Sequence, residues 1–372
     1  MNRLSLRRPN SVSVEQTEKR PLGLAARECA LSEKGSAGEL LLDSVDDYLG
    51  PAEKRFFGSG FRRVTYRHDK LEVCRGEEGR TELSGRLGVG YPPDWSTKAR
   101  RGDLRPHLST VDGVITAVHL SEATLTHALR LTAERRRAGR VLQVRIKAGT
   151  VPDEELAGLP VRSTLLGSAP ATDDDGDAVV SRLETLVGVM RVRTALRHPG
   201  AAPAADAPAG ATYASPEELL GPADRQYYGT GFAARTQSVR KVVARVAEAR
   251  ADAVVDVAQE PGSVLATEGT EGLYQPFVGL VDTFVTSLQL GQILLYETDG
   301  ISRGASDTLW MRTTVLTAGV EPDPIRYETP LSVRLENSAL LRRDDETWRA
   351  ADIVGSLAGN TVRCSVAHRL PR

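Results

Sequence analysis

Cysteine is scarce in this chain, with three in 372 residues, and Cys29, Cys74 and Cys364 share no spacing of a metal site or redox pair. Such a sparse, odd set excludes a disulfide framework and fits a reduced, cytoplasmic setting. An excess of either charge is also missing. Lys and Arg number 48 against 49 Asp and Glu, so no general field draws the protein to nucleic acid or to an anionic membrane. No apolar run approaches the roughly 20 residues of a membrane span, and the Arg-containing start has no apolar core of a signal peptide. The sequence carries no nucleophile elbow, zinc signature or Walker loop, and nothing in it demands a metal or a redox cofactor.

What is present is a duplication. Residues 106–120 read PHLSTVDGVITAVHL and residues 276–290 read PFVGLVDTFVTSLQL, with Pro, Val-Asp, Thr and Leu recurring at an offset of 170. A second pair of landmarks, LGPAEKRFFGSGF at 49–61 and LGPADRQYYGTGF at 220–232, matches at an offset of 171, with seven of thirteen positions identical. Two modules follow, and the length gives each room for its own core.

In both copies of the first landmark the apolar residues take helical spacing. Val111, Val114, Ile115 and Val118 share a face in one copy, Val278, Val281, Val285 and Leu288 in the other. Beside that face runs a polar stripe, Asp112, Thr116, His119, repeated as Asp282, Thr286, Gln289. A carboxylate on so apolar a helix needs a partner or a task, because burying it unpaired costs several kcal/mol. One reading is a capping box, Ser109-Thr110-Val111-Asp112, in which Asp112 reaches back to the first amide, with Gly279 starting the second helix in the same way. The other makes the stripe a site. The two are compatible, since a first-turn Asp lies among free amides at the positive end of the helix dipole.

Around these helices the order of elements is similar in both modules. Residues 1–40 are polar, Arg-rich and aperiodic, the composition of a flexible extension. In the 49–61 landmark a short helix is expected with Pro51 or Pro222 at its first turn and Gly58 or Gly229 closing it. Its GxG lacks the wider glycine pattern and following helix of a phosphate cradle. Strand-forming runs at 62–74 and 81–90, and at 238–247 and 253–258, precede the central helix; runs at 141–148, 161–166 and 183–196, and at 309–318, 331–335 and 353–366, follow it. Asp173-Asp174-Asp175-Gly176-Asp177 has no calcium-loop counterpart in the second copy, where Arg343-Asp344-Asp345-Glu346 stands, and fits a solvated hairpin tip. Residues 200–214 are rich in Ala and Pro and fit a linker between modules 41–199 and 215–372. A curved antiparallel sheet wrapped around one central helix suits this order. The fold expected is α+β, a tandem double hotdog whose two modules pair as a pseudo-dimer within one chain, with a homodimer of such chains also open.

The segment from Ser44 to Gly58, SVDDYLGPAEKRFFG, together with Pro106-His107-Leu108-Ser109-Thr110-Val111-Asp112, resembles the avirulence D (AvrD) family of bacterial proteins from about residue 40 to the C-terminus. That resemblance implies synthesis of syringolide-type signal lipids: a β-ketoacyl thioester, on acyl-carrier protein or coenzyme A, is joined to a xylulose-type sugar, and a ring then closes. The family is similar in kind to hotdog enzymes that make γ-butyrolactone signals.

Acyl transfer needs a base for the incoming hydroxyl and donors for the developing oxyanion. The amides near Ser109 and Thr110 suit the carbonyl, and Asp112, His119 or His107 the proton; His107 also suits a sugar contact. Phe277 and Gln289 replace the two histidines in the second copy, which makes module 1 the reactive one. Thr116, Asp282, Thr286 and Gln289 either bind substrate or stabilise the helices, while His198 and His368 read as ordinary hydrogen-bonded residues. A hotdog thioesterase or dehydratase and a non-catalytic lipid-signal binder are the competing readings.

Overall fold

The computed structural model of the protein describes residues 38–96, 105–172, 177–200, 210–306, 309–343 and 345–371. The extension at 1–37, Cys29 and most of the Asp-rich tip, residues 173–176, lie outside the described residues. The first half runs β1 (Glu39–Ser44), α1 (Asp46–Leu49), β2 (Thr65–Arg75), β3 (Thr81–Gly90), α2 (Thr110–Leu129), α3 (Ala133–Arg137), β4 (Arg140–Lys147), β5 (Leu159–Pro170), β6 (Ala178–Val187) and β7 (Met190–Pro199). The second runs β8 (Gly210–Tyr213), α4 (Glu217–Leu220), β9 (Arg235–Arg245), β10 (Arg250–Gln259), α5 (Leu280–Asp299), β11 (Trp310–Thr317), β12 (Thr329–Arg343), β13 (Glu346–Leu357) and β14 (Asn360–Arg369).

All strands join one antiparallel sheet, in the order β1-β9-β10-β12-β13-β14-β11-β4-β7-β6-β5-β3-β2-β8. Its two halves meet where β11 pairs with β4, and Val315 faces Arg145, the residue 170 positions earlier. The register places the pseudo-twofold axis there. Strands such as β7 and β14 alternate buried and exposed residues, as a sheet with one covered face requires. Helix α2 lies against β3 to β7, and α5 against β9 to β14. Contact is close enough that a Cβ on Gly355 of β13 would sit 2.2 Å from Ser287 Oγ of α5, so only glycine fits. The architecture is the tandem double hotdog.

Every residue of α2 is buried, not only the apolar face. The reason is an exchange between halves. Strand β1 belongs to the first half by sequence but pairs with β9 of the second; β8, 171 positions later, pairs with β2 of the first. Helices α1 and α4 follow their strands and pack on α5 and α2 respectively. Each polar stripe is therefore roofed by the other half's arm.

Three sequence expectations need correction. The runs at 183–196 and 353–366 are each two strands, broken at Gly188 and at Ala358-Gly359, residues with positive φ that reverse the chain in a tight turn. The short helix precedes Pro51 and ends at Gly50, φ 82°, with Leu220 and Gly221 repeating the pattern; Pro51 instead opens a single 3-10 turn. The stretch read as a linker ends in β8, because Gly210–Tyr213 finds an unpaired edge on β2.

Candidate active site at the first helix N-terminus

The first turn of a helix leaves backbone N–H groups without helical partners. At α2 the capping box forms: Asp112 N–H donates to Ser109 Oγ at 3.2 Å, and Ser109 N–H donates to Asp112 Oδ2 at 2.7 Å. The amides of Thr110 and Val111 donate to nothing among the described residues. They remain available at the positive end of the dipole.

Asp112 is fully buried and all its oxygens are engaged. Tyr66 Oη donates to Oδ1 at 2.7 Å. The Tyr91 hydroxyl lies against Oδ2 and 2.9 Å from the carbonyl oxygen of His107, so its one proton serves either acceptor. Burial raises the Asp112 pKa, and the hydroxyl and amide donors work against that rise. The side chain holds the cap and, through Tyr91, the segment that carries His107.

A cavity of about 340 Å³ opens at this helix start. Ser109 and Thr110 form one wall, and His107 lines it with its ring edge-on to Trp95, centroids 6.1 Å apart. His107 Nδ1 lies 3.4 Å from the carbonyl oxygen of Arg105. In the tautomer that donates to this carbonyl, Nε2 keeps its lone pair. Phe56, Phe57, Val189, Met190, Leu309 and Met311 supply apolar wall. Arg55 and Gln292 enter from the arm of the first half and the helix of the second, and Arg303 from just beyond α5.

Of the site residues expected from sequence, His107, Ser109 and Thr110 meet at this cavity. Thr116 and His119 do not line it. The His119 ring lies 6.2 Å from that of His68 on β2, Gln226 of the second half adjoins it without an ordinary hydrogen bond, and Thr116 Oγ1 and His119 Nε2 have no partner among the described residues. Burial lowers the pKa of both histidines to about 4. Asp282 repeats the cap, accepting from Gly279 N–H at 2.8 Å and from Gln237 Nε2 at 2.6 Å, with Gln237 where the first half has Tyr66. Thr286 turns its hydroxyl to the Asp282 carbonyl, 2.8 Å away. Gln289 reaches across the halves to Arg55 at 2.6 Å and to the Phe57 carbonyl at 3.0 Å.

The corresponding place in the second half is filled. Residues 268–274 cross it: Thr270 N–H donates to Glu122 at 2.9 Å, Glu271 accepts from Val141 N–H at 3.1 Å and from Tyr228 Oη at 2.9 Å, and Arg140 stands over the Tyr274 ring. Residues 98–104, at the matching offset, lie outside the described ones. Phe277, in place of His107, is buried.

Arg55, Gln292 and Arg303 were not singled out from the sequence. A signal for Arg55 existed: in the thirteen-residue landmark it is the one position where the copies differ without conserving chemistry, Arg55 against Gln226. Positions where duplicated halves disagree are where their tasks diverge.

A buried helix wrapped by a curved sheet, duplicated and joined edge to edge, with a cavity where one helix start meets the other half, defines a double hotdog protein. The chain belongs to the avirulence D family: residues 40–371 match the family described as Pseudomonas avirulence D protein (AvrD). No curated protein matches it. Among solved structures it is similar to the tesB protein of Mycobacterium avium subs paratuberculosis (9% identity, 78% of this chain and 93% of that one, TM-score 0.37). It is also similar to a trans-AT PKS dehydratase domain from Brevibacillus brevis (12% identity, 80% and 96%, TM-score 0.33) and to a Mycobacterium tuberculosis conserved hypothetical protein with a double hotdog fold (12%, 75% and 97%, TM-score 0.32). Among the described residues no helix is long and apolar enough to cross a membrane.

Proposed function

We propose that the chain is an acyl-transferring synthase that joins a β-ketoacyl thioester, on an acyl carrier or coenzyme A, to a xylulose-type sugar. The observation that carries this reading is that one cavity gathers the helix-start residue Thr110, whose amide has no partner among the described residues, an imidazole with an open nitrogen and an apolar wall. In the reaction, His107 Nε2 takes the proton of a sugar hydroxyl as its oxygen attacks the thioester carbonyl. The Thr110 amide, at the positive end of the helix, holds the resulting oxyanion. As the tetrahedral intermediate collapses, the C–S bond breaks and the thiolate leaves with the proton from His107. Phe57, Met190 and Met311 offer the acyl tail an apolar lining, and the volume lies at the lower end for ligand pockets. Asp112 positions rather than reacts, and His119 is too weak a base at a pKa of about 4 to serve efficiently near neutral pH.

Incubation of the full chain with a 3-oxoacyl thioester and a ketopentose, followed by mass spectrometry, tests the reading. An acyl-sugar product that depends on His107 supports it. Release of free acid or of an enoyl product irrespective of sugar transfers the site to a thioesterase or dehydratase, and an unconsumed thioester sinks all three.

A further inference from the structure

Besides Arg105, which faces Glu154, the cavity holds two guanidinium groups that the reaction described above does not use. Arg55 is almost wholly buried, yet its three partners, the Pro51 carbonyl, Gln289 Oε1 and Asp46 Oδ1, leave further N–H donors over. Arg303 comes from the second half and donates to the carbonyl of Lys54, the residue next to Arg55, at 2.9 Å. Two cations from opposite halves thus line one cavity beside Thr110 at the start of α2. Burial lowers the pKa of each, and in Arg55 the charge of Arg303 adds to that fall while Asp46 opposes it.

The duplication supplies an internal control. At the equivalent positions the other half carries Gln226 and Ala133. Arg136, three residues beyond Ala133, pairs with Glu122. Neither guanidinium therefore has a counterpart in the other half. The carboxylates of the cavity wall are engaged elsewhere: Asp153 accepts from Val189 N–H at 2.8 Å, and Glu154 faces Arg105.

We propose that Arg55 and Arg303 form a subsite for a phosphoryl group, brought either by a phosphorylated ketose acceptor or by the phosphopantetheine arm of the acyl donor. The planar forks of two arginines suit phosphate oxygens, and the adjacent helix start favours the same charge. This rests on the cavity being the acyl-transfer site and names which chemistry its polar end takes.

Calorimetric titration of the full chain with two matched pairs, a ketopentose 5-phosphate against the ketopentose and 4′-phosphopantetheine against pantetheine, tests it without turnover. The phosphorylated member of one pair is expected to bind about tenfold or more tightly than its neutral match. The pair that shows the gap identifies the source. Arg303→Ala and Arg55→Gln, which reproduce Ala133 and Gln226 of the other half, are expected to close the gap; should Arg55→Gln fail to fold, the partly exposed Arg303 decides. Equal binding within both pairs, or a gap that survives Arg303→Ala, overturns the subsite. A chain that discriminates phosphate yet makes no acyl sugar loses the reaction and keeps the subsite, whereas turnover of a neutral ketose with no gap does the reverse.

Discussion

Arg55 Nη1 donates to Gln289 Oε1 at 2.6 Å across 234 residues of sequence, and the mirrored positions hold Gln226 and His119. The contact exists because the arm of each half crosses to the other half's helix. Gln289→Ala removes the partner of a buried cation and of the Phe57 carbonyl together. A loss of about 1–3 kcal/mol in unfolding free energy is expected by urea denaturation. An unchanged midpoint would show that the arm is held without this contact.

His107 and Asp112 separate by the kind of damage each substitution does. His107→Asn, at a partly exposed side chain, is expected to leave the melting temperature near its starting value and to lower acyl transfer by about 100-fold to 10,000-fold. Asp112→Asn turns one of the two oxygens that accept from Tyr66, Tyr91 and the Ser109 amide into an NH2 group and is expected to cost about 1–3 kcal/mol of stability. Should Asp112→Asn abolish turnover at full stability while His107→Asn stays active, the roles given to the two residues are exchanged.

Much of this was legible before any coordinates. The duplication, the two central helices and the caps at Ser109 and Gly279 follow from local rules: helical spacing, first-turn acids and short-range amide partners. The exchange of β1 and β8 was not legible, because no local pattern in Glu39–Ser44 or Gly210–Tyr213 says which half supplies the strand edge. The burial of His119 was hidden by the same exchange. Spacing placed it on one stripe with Asp112, but the stripe ends under α4, while the cavity opens at the helix start.

Glu271 should make the protein lose stability as pH rises. Burial lifts its folded pKa from 4.5 to about 7, against the Tyr228 hydroxyl and the Val141 amide, which favour the ionised form. Between these values the folded state holds a proton that the unfolded chain has released. The contribution is therefore complete below about pH 4.5 and gone above about pH 7, at most about 3 kcal/mol. Glu271→Gln is expected to flatten this part of a stability profile taken from pH 4 to pH 8. An unaltered profile would place the Glu271 pKa near its ordinary value.

His119 acts in the opposite sense over much of the same range. Its folded pKa is about 4 against an ordinary 6.5, because burial disfavours the cation. The unfolded chain takes up a proton first, so this share of stability is complete above about pH 6.5 and is lost as pH falls towards 4, again at most about 3 kcal/mol. His119→Gln, which copies Gln289, is expected to lessen the acid loss between pH 6.5 and 4. Equal acid sensitivity in the variant would mean that His119 already reaches solvent in the folded chain.

The exchanged arms make the halves interdependent. A fragment ending at residue 200 lacks β8 and α4, which cover β2 and the polar stripe of α2, and a fragment from 201 lacks β1 and α1, which cover β9 and α5. Each alone exposes a sheet edge and the uncovered side of an otherwise buried helix, a pairing of features that drives aggregation. The two fragments are expected to be insoluble or molten when expressed singly, and to copurify as a cooperatively folding pair when coexpressed. Soluble, cooperatively melting single fragments would mean that each arm folds back on its own half, and that the cross-half contacts at Arg55 and His119 do not define the native site.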